Sequence, residues 1–493
     1  MNNYKIKVNI EIVESIEPVS ETPKESIEGI FELIIDPDAA KSIDDCEQYL
    51  LETNYLALRA VLSKHLETVA KKHLLTMAPE EAIITKKTDY RVDGEIGRFS
   101  FPIYEIVEPE GKTWYRTRGF KELAYIHGTT DESYRKTSSW LNRVRHHSNA
   151  TSARTLQDNT EAEGEKIIKA IEDKSFEILK ANKFSDQGIP NSKRKRDRER
   201  PFDFLSEEIV EKSINSTQIP EVLRSSIKTN PVPYENPLSS INISVDDVGV
   251  KEQKQQRHTE EKEVEGAKER HHTYQTVVHI ENHQGRYIFN AFNLVQALPI
   301  LIAFLLDNQL LKGNLLFFID GQRSLQASIV KAFNWFAPQQ LILDWYHLEE
   351  KCKKQLSSAL NGREIRNEVL TQVLYWLWHG LIDKAIEYLE TVDKKHIKSN
   401  EALEQLKGYF LRNKDYIPCY SVRKILGLRN SSNRGEKSND LLVSQRQKHN
   451  GMSWSQLGSV TLAAVTALVR NQEANNWFRT GQINFRLVPH PQF

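Results

Sequence analysis

The sequence predicts an α/β protein with a mixed sheet that is interrupted by an all-α insertion and preceded by a mainly helical N-terminal region. Three observations support this prediction. Apolar residues alternate over residues 241–247 and 273–292, as in antiparallel strands. Two runs, LLFFID at 315–320 and QLILDWY at 340–346, are apolar enough for parallel strands covered on both faces. Helical spacing prevails in much of 1–180 and in 362–429.

Composition bounds the class of protein. The 493 residues carry 67 Lys and Arg against 67 Asp and Glu, and this zero net charge alone indicates no nucleic-acid partner. The charge is unevenly distributed, because residues 1–50 hold twelve acidic and four basic residues, a net of −8, which leaves +8 elsewhere. The three Cys are far apart, which excludes a disulfide framework and the usual zinc spacings.

No signal peptide or membrane span is expected. The N-terminus has no apolar h-region, and the most apolar run, ALPILIAFLL at 297–306, is half the length that a membrane helix needs. We therefore expect a buried helix there and a cytoplasmic protein with no membrane partner.

The first region, residues 1–180, begins with an alternating strand at 5–13 and continues with helical patterns. Residues 118–150 are a candidate helix-turn-helix, a motif whose second helix contacts a DNA groove and phosphates. The second helix would supply the DNA-binding residues Arg135, Lys136, Arg143 and Arg145. The alternative is a helical bundle with a solvated basic face.

Residues 181–240 are predicted to be a linker, because they contain four Pro between 220 and 237 and many Ser and Asn. The basic run SKRKRDRERP at 192–201 is either an arm that contacts phosphates or a solvated part of that linker.

Residues 241–361 have the element order strand, strand, strand, helix, strand, helix, strand, helix, which is that of the ribonuclease-H-like fold. Asp246 ends the first strand and Asp320 ends the fourth, and these strands are neighbours in that fold. Functional groups gather at the carboxyl ends of such strands, so both carboxylates are expected in one cleft. Asp247 remains a rival to Asp246. A single Asp at a strand end is otherwise most often a turn or cap residue.

Two adjacent carboxylates repel each other and have raised pKa values unless a cation shares the site. Two oxygen-liganded Mg²⁺ ions would remove this repulsion and support phosphoryl transfer. Glu436, near the start of a helix, is the best candidate for a third carboxylate ligand. Glu349 and Glu350 are weaker candidates, because they follow the strand pair closely and lie among three Lys.

Four motifs together resemble the DDE transposases of bacterial insertion sequences, specifically those related to the Mutator-like superfamily. They are VDDVGV at 245–250, FIDG at 318–321, LDWYHLEE at 343–350, and GEK at 435–437 followed by RQKHNGMSWS at 446–455. The resemblance covers about residues 240–475.

The resemblance implies particular roles for these residues. Asp246, Asp320 and Glu436 would be the catalytic residues and would bind two Mg²⁺ ions, with Mn²⁺ as a substitute. Asp344 and His347 look like the family's element of Cys or Asp, two residues, then His, and would support the site, as would Asp247. Residues 421–450 hold seven Lys and Arg against two acidic residues, a net of +5, and this charge is predicted to neutralise DNA phosphates. The residues predicted to contact DNA there are Arg434, Lys437, Arg446 and Lys448; the alternative is a solvated helix face.

The resemblance also implies a domain organisation and an activity. The ribonuclease-H-like catalytic domain would comprise 241–361 and 430–475, with 362–429 as an all-α insertion. The enzyme would cut double-stranded DNA at terminal inverted repeats and join the 3′ ends to target DNA, as a homodimer or higher oligomer associated with the bacterial nucleoid. The alternatives are a decayed or domesticated transposase that only binds DNA, and another ribonuclease-H-like nuclease.

Overall fold

The computed structural model describes residues 4–12, 27–35, 51, 54–67, 86–94, 97–104, 114–116, 118–129, 133–144, 151–191, 200–253, 271–448 and 452–490. The chain divides into two compact units. One comprises Met1–Asn159 with Phe478–Thr480, and the other comprises Thr160–Trp477 with Gly481–Phe493.

The first unit contains five strands as well as helices among its described residues, and only the first of these strands was expected from the sequence. Strand β1 (Tyr4–Ile12) pairs antiparallel with β2 (Ile27–Ile35), and β3 (Lys86–Gly94) pairs antiparallel with β4 (Gly97–Tyr104). Strand β5 (Trp114–Arg116) joins β3 in parallel. In the β3–β4 hairpin Val92 lies opposite Phe99, and both side chains are buried. Burial of such cross-strand pairs stabilises the sheet.

The helices of this region are α1 (54–67), α2 (Arg118–Gly128), α3 (Tyr134–Val144) and α4 (Ala153–Ala181). The two helices predicted between 118 and 146 are therefore present. Helix α3 buries Thr137, Ser138 and Leu141 and leaves its basic side chains Arg135, Lys136 and Arg143 exposed. Arg145 lies outside the described residues.

The prediction of a linker at 181–240 is wrong for the residues that the structure describes there. Helices α5 (Glu207–Asn215) and α6 (Glu221–Lys228) bury Ile214 and Ile227 in a cluster with Val422 from the end of the insertion. Val232 packs on the buried face of the sheet beside Phe318. Apolar residues spaced between the prolines supply this core. The basic residues 192–199 lie outside the described part of the chain.

A six-stranded mixed sheet forms the centre of the second unit, where a mixed sheet of five strands was predicted. Its strands are β6 (Ser240–Lys251), β7 (His272–Glu281), β8 (Gly285–Ala291), β9 (Asn314–Ile319), β10 (Gln339–Leu343) and β11 (Val488–Pro489). They lie in the order β10-β9-β6-β7-β8-β11. The first three pair antiparallel, whereas β9 pairs in parallel with both β6 and β10. The added edge strand, β11, was not predicted.

Helices cover both faces of this sheet. The remaining helices are α7 (Leu294–Asp307), α8 (Arg323–Phe333), α9 (Trp345–Ala359), α10 (Arg363–Trp378), α11 (Ile382–Glu390), α12 (Asn400–Arg412), α13 (Tyr420–Ile425), α14 (Asn433–Asn439), α15 (Gln445–Gln447), α16 (Gln456–Arg470) and α17 (Ala474–Thr480). Phe304 of α7 stacks on Tyr287, and Ser459 of α16 accepts a hydrogen bond from Gln275. Because Tyr287 pairs with Ile280 and side chains alternate along β7, α7 and α16 lie on opposite faces.

The apolar run at 297–306 lies within α7, where eight of its residues are buried, as expected. Among the described residues no helix has both the length and the apolar character needed to cross a membrane.

Residues 362–429 were predicted to be an all-α insertion. Between α9 and α14 the chain forms α10 to α13 and two short 3-10 turns, without a strand among these described residues. Trp376 packs against the Ile214 cluster, and Trp378 stacks on Tyr420 at a centroid distance of 5.9 Å. Both indoles therefore contribute to packing within the protein.

Candidate active site

Asp246 lies in the middle of a strand and points into a cleft. Strand β6 continues five residues beyond it to Lys251, so the expectation that Asp246 ends the strand is wrong. Its side chain shares the cleft with Ser244, two residues earlier on the same face. The Asn439 amide donates to Asp246 Oδ2 at 2.7 Å.

The choice between Asp246 and Asp247 follows from the alternation of side chains along β6. Asp247 is exposed on the other face, where it accepts a hydrogen bond from Thr276 Oγ1 on the neighbouring strand. It does not line the cleft. Asp246 is therefore the carboxylate that faces Asp320 and Glu436, and Asp247 is a matched acid outside the site.

Asp320 follows the last residue of β9, as predicted. The parallel register pairs Ser240 with Asn314 and Ser244 with Phe318, and its continuation brings Asp246 level with Asp320. Asp320 also forms a turn, because its Oδ1 accepts from the Gln322 amide at 2.8 Å. Gly321 has a φ of +87°, which favours glycine in this turn. Asp320 is therefore both a turn residue and one of the carboxylates that line the cleft.

Glu436 reaches the cleft from helix α14, 116 positions after Asp320 in the sequence. Its approach depends on Gly435, because a Cβ atom there would lie 2.6 Å from Ser244 Cβ and 2.8 Å from Ser244 Oγ. The glycine thus allows α14 to lie directly on β6. Asn439, one turn after Glu436, presents its side chain to the same cleft.

Asp344 and His347, which were predicted to support the site, lie at the start of helix α9. The fully buried Asp344 carboxylate caps helix α9, where its Oδ1 accepts from the amides of Tyr346 at 2.7 Å and His347 at 3.2 Å. Its Oδ2 accepts from the backbone amide of Ser432, just before α14. His347 Nε2 lies 2.9 Å from Glu436 Oε1. Asp344 therefore connects the two helices that hold His347 and Glu436.

Burial and neighbouring charges shift the pKa values of several side chains in the cleft. Burial, followed by the nearby Glu436 carboxylate, raises the pKa of Asp246 to about 6. The hydrogen bond to Glu436 raises the pKa of His347 to about 9, so this imidazole is protonated at neutral pH. Burial, followed by the charge of Arg429, lowers the pKa of His279 to about 3, and this side chain is neutral. The cleft thus combines several acidic groups with one cation, His347.

The donor set suits a hard divalent cation, because Asp246, Asp320 and Glu436 offer carboxylate oxygens. The raised pKa of Asp246 has burial as its first cause and the nearby Glu436 carboxylate as its second, and an added cation would favour the charged form of Asp246. Within the described residues, however, no three Asp, Glu, His or Cys side chains are close enough to hold a metal ion together. The volume of the cleft is about 10 Å³, which is enough for one water-sized sphere. The carboxylate oxygens are therefore chemically suited to a divalent cation. In this structure, however, Glu436 is hydrogen-bonded to His347.

The basic residues predicted near the site separate into exposed and buried ones. Arg434, Lys437 and Lys448 are exposed, and Arg434 pairs with Glu281 while Lys437 pairs with Asp440 at 3.1 Å. Arg446 is only 1% exposed and lies over the Trp454 ring at 5.2 Å from its centroid. The prediction that Arg446 contacts DNA is therefore wrong.

The charge counted over 421–450 also overstates the basic surface. Arg423 is buried and forms a bidentate salt bridge with Glu235, with both N–O distances at 2.6 Å. Sequence spacing could not reveal this pair, because 188 positions separate its members. Residues 449–451, within the last motif, lie outside the described residues.

Four polar residues that line the cleft were missed from the sequence: Ser244, His279, Ser432 and Asn439. Asn439 was detectable, since it lies three positions after Glu436 on a helix. His279 was not, because only the register of β6 and β7 places it opposite Ser244.

Comparison of the sequence with models of known protein families gives no match, and comparison with curated proteins gives none.

Proposed function

We propose that this chain is a metal-dependent DDE transposase with a ribonuclease-H-like catalytic core. It would cut DNA at the ends of a mobile element and transfer the resulting 3′ ends to target DNA. The observation that carries this proposal is the convergence of Asp246, Asp320 and Glu436 on one cleft. These residues come from two parallel strands and a distant helix, and the sequence motifs single out the same three.

The strand order supports the ribonuclease-H-like assignment. Three antiparallel strands are followed by two parallel ones that lie beside the first strand, in the order β10-β9-β6-β7-β8. The all-α segment between α9 and α14 occupies the position that the transposase resemblance implies for its insertion.

Each carboxylate would act through its own position. Asp246 and Asp320 would bind the cation from adjacent strands, and Glu436 would complete the ligand set from α14. When bound, Mg²⁺ supplies charge stabilisation for in-line phosphoryl transfer and lowers the pKa of an attacking water. Asp344 fixes the relation of α9 to α14 through the backbone amides that it accepts from. In the absence of a bound metal ion, the protonated His347 would balance the negative charge of Glu436.

The exposed cations would bind the DNA. Arg434 and Lys437 lie on α14 beside Glu436, and Lys448 follows α15. Arg135, Lys136 and Arg143 of α3 would contact the terminal repeats, with Arg145 as a further contact. Each phosphate contact that is lost would weaken binding and reduce its salt dependence.

A second candidate function is DNA binding without catalysis, as in a decayed transposase. The observation that favours it is the lack, among the described residues, of three ligands already positioned for a metal ion. The two candidates differ in a single measurable property, metal-dependent cleavage.

The test is a cleavage and strand-transfer assay with the full chain and DNA that carries the inverted repeats flanking its coding region. With Mg²⁺ or Mn²⁺ we expect nicked ends and joined products, and none in EDTA. Asp320→Asn should abolish both, because it removes a ligand charge. Asp247→Asn is the matched control and should remain active, because Asp247 lies outside the cleft.

Two results would count against a DDE transposase. One is cleavage by Asp320→Asn at the wild-type rate, which would place the chemistry elsewhere. The other is specific binding of the repeats by the wild-type chain without any metal-dependent product, which would support the DNA-binding alternative.

A further inference from the structure

Asn439 is an uncharged side chain among the carboxylates of the cleft. It is 7% exposed, and its amide nitrogen, Nδ2, donates a hydrogen bond of 2.7 Å to Asp246 Oδ2. Among the described residues none donates a hydrogen bond to its amide oxygen, Oδ1. This oxygen is not one of the fully enclosed polar atoms without a partner, so it remains accessible. Asn439 therefore offers the cleft an oxygen that the described residues leave unused.

The helix that carries Asn439 changes its geometry directly after this residue. Asn439 is the last residue of α14, and it lies one turn after Glu436 on the same face. A π-helical turn, Asp440–Ser444, follows and buries Leu442 and Val443 in the core. Such turns are rare in helices and occur frequently at functional sites. Helix α14 thus presents two oxygen-bearing side chains to the cleft before its geometry changes.

The amide of Asn439 suits the cleft both with and without a cation. In the structure its nitrogen satisfies Asp246 Oδ2 as a hydrogen-bond donor. Half a turn about the Cβ–Cγ bond would exchange Nδ2 and Oδ1 and bring two oxygens together. These oxygens would repel each other unless a cation lay between them. Asn amide oxygens are among the ligands that hard divalent cations bind in proteins.

Two further observations favour a ligand beside Asn439. His279 also lines the cleft and is 4% exposed, and its side chain has no hydrogen-bond partner among the described residues. No three Asp, Glu, His or Cys side chains of the described residues are close enough together to hold a metal ion. A neutral oxygen from Asn439 would add a donor to this incomplete set without adding to the repulsion between the carboxylates.

We propose that Asn439 is a fourth ligand of the divalent cation and binds it through Oδ1, in addition to the three carboxylates. The inference rests on the proposed function and deepens it, because it names a metal ligand that the sequence motifs do not single out. Without a cation, the same side chain holds Asp246 through Nδ2. The alternative is that Asn439 only positions Asp246 and never contacts the ion.

Asn439→Cys distinguishes a ligand from a positioning residue. A thiolate that binds a soft cation such as Cd²⁺ gives a sulfur-to-metal charge-transfer band in the ultraviolet, and a thiol that does not contact the ion gives none. We expect this band when Cd²⁺ is titrated into the full-length variant. Asp247→Cys introduces the same thiol outside the cleft and is the matched control, which should give no band above that of the wild type. Thermal melting of each variant verifies folding.

Asn439→Asp and Asn439→Ala supply a second readout, the affinity for Mn²⁺ measured by isothermal titration calorimetry on the full chain. Asn439→Ala should bind Mn²⁺ about tenfold more weakly than the wild type, a loss of the size known for residues around metal sites. Asn439→Asp should bind at least as tightly as the wild type, because it keeps an oxygen at this position and adds a charge. Asp247→Ala removes a carboxylate outside the cleft and should bind as the wild type does.

The absence of a charge-transfer band in a folded Asn439→Cys chain would overturn the proposal and leave Asn439 as a positioning residue. Equal weakening in Asn439→Asp and Asn439→Ala would also overturn it, because the lost N–H donor would then be the cause. A wild-type chain that binds no Mn²⁺ would overturn it as well. These assays contain no DNA and read metal binding alone. If the wild type cleaves DNA in Mg²⁺ while Asn439→Cys gives no band, the proposed function stands without this ligand.

Discussion

Gly435 allows helix α14 to lie against strand β6, and Gly435→Ala tests whether that contact positions Glu436. The added Cβ would lie 2.6 Å from Ser244 Cβ and 2.8 Å from Ser244 Oγ. Carbon atoms in contact are normally about 3.5–4.0 Å apart. The helix must therefore move away from β6 by about 1 Å, and Glu436 moves away from Asp246 with it.

The expected effect on activity is larger than the effect on stability. Overpacking a close contact costs about 1–3 kcal/mol, while replacing glycine in a helix returns about 1 kcal/mol. The net loss in the free energy of unfolding is then about 0–2 kcal/mol. A displacement of about 1 Å at a catalytic group can cost about 10²-fold in rate. We expect Gly435→Ala to stay folded and to cleave end-containing DNA about 10²-fold more slowly.

The assay combines urea denaturation with single-turnover cleavage in Mg²⁺. The control is Gly408→Ala, another glycine within a helix, whose nearest neighbour to an added Cβ is the flexible end of Arg412 at 3.1 Å. It should retain full activity. Ser244→Gly removes both atoms that the new methyl group meets, so the double variant should recover at least tenfold in rate over Gly435→Ala.

Cleavage by Gly435→Ala within threefold of the wild-type rate would refute the positioning role of Gly435. A slow Gly435→Ala variant that Ser244→Gly does not accelerate would also refute it, because the steric contact would then not be the cause of the loss.

Three further outcomes are expected. The pKa of His347 rises from 6.5 to about 9 on folding, so its stabilisation is complete below pH 6.5 and is lost as the pH rises through 9. In urea titrations in EDTA, wild type should lose at most about 3 kcal/mol across that window, and His347→Gln should show a flatter profile. Arg423→Ala should destabilise the chain by about 3–5 kcal/mol in the same assay, because it leaves Glu235 buried without its partner; Glu235→Leu with Arg423→Met should cost less. Lys437→Gln should reduce the slope of log DNA affinity against log salt by about 1, and an unchanged slope would exclude a phosphate contact there.

The central sheet and the cleft could be predicted because their signals are local. Alternating and wholly apolar runs fix the type of each strand, and parallel pairing places Asp246 level with Asp320. The position of Glu436 required more than local pattern, since the long insertion separates it from Asp320. Its prediction depended on the place of Glu436 near the start of a late helix and on the resemblance of a short motif.

Other features depend on partners far away in the chain and could not be predicted. The prolines of 181–240 indicate a linker, yet that segment is held by packing against residues near 420 and by the Glu235–Arg423 bridge. Arg446 has the sequence context of a DNA contact, but it is buried against Trp454. In each case the tertiary environment, and not the residue type, decides whether a charged group meets solvent.

The separation between Asp320 and Glu436 also has a consequence for synthesis of the protein. At about 5–20 residues per second, a ribosome needs about 6–23 s to proceed from one codon to the other. During that interval β6 and β9 can already pair, but the third carboxylate does not yet exist. The carboxylate cleft is therefore completed late in translation, after the whole N-terminal unit except residues 478–480 has emerged.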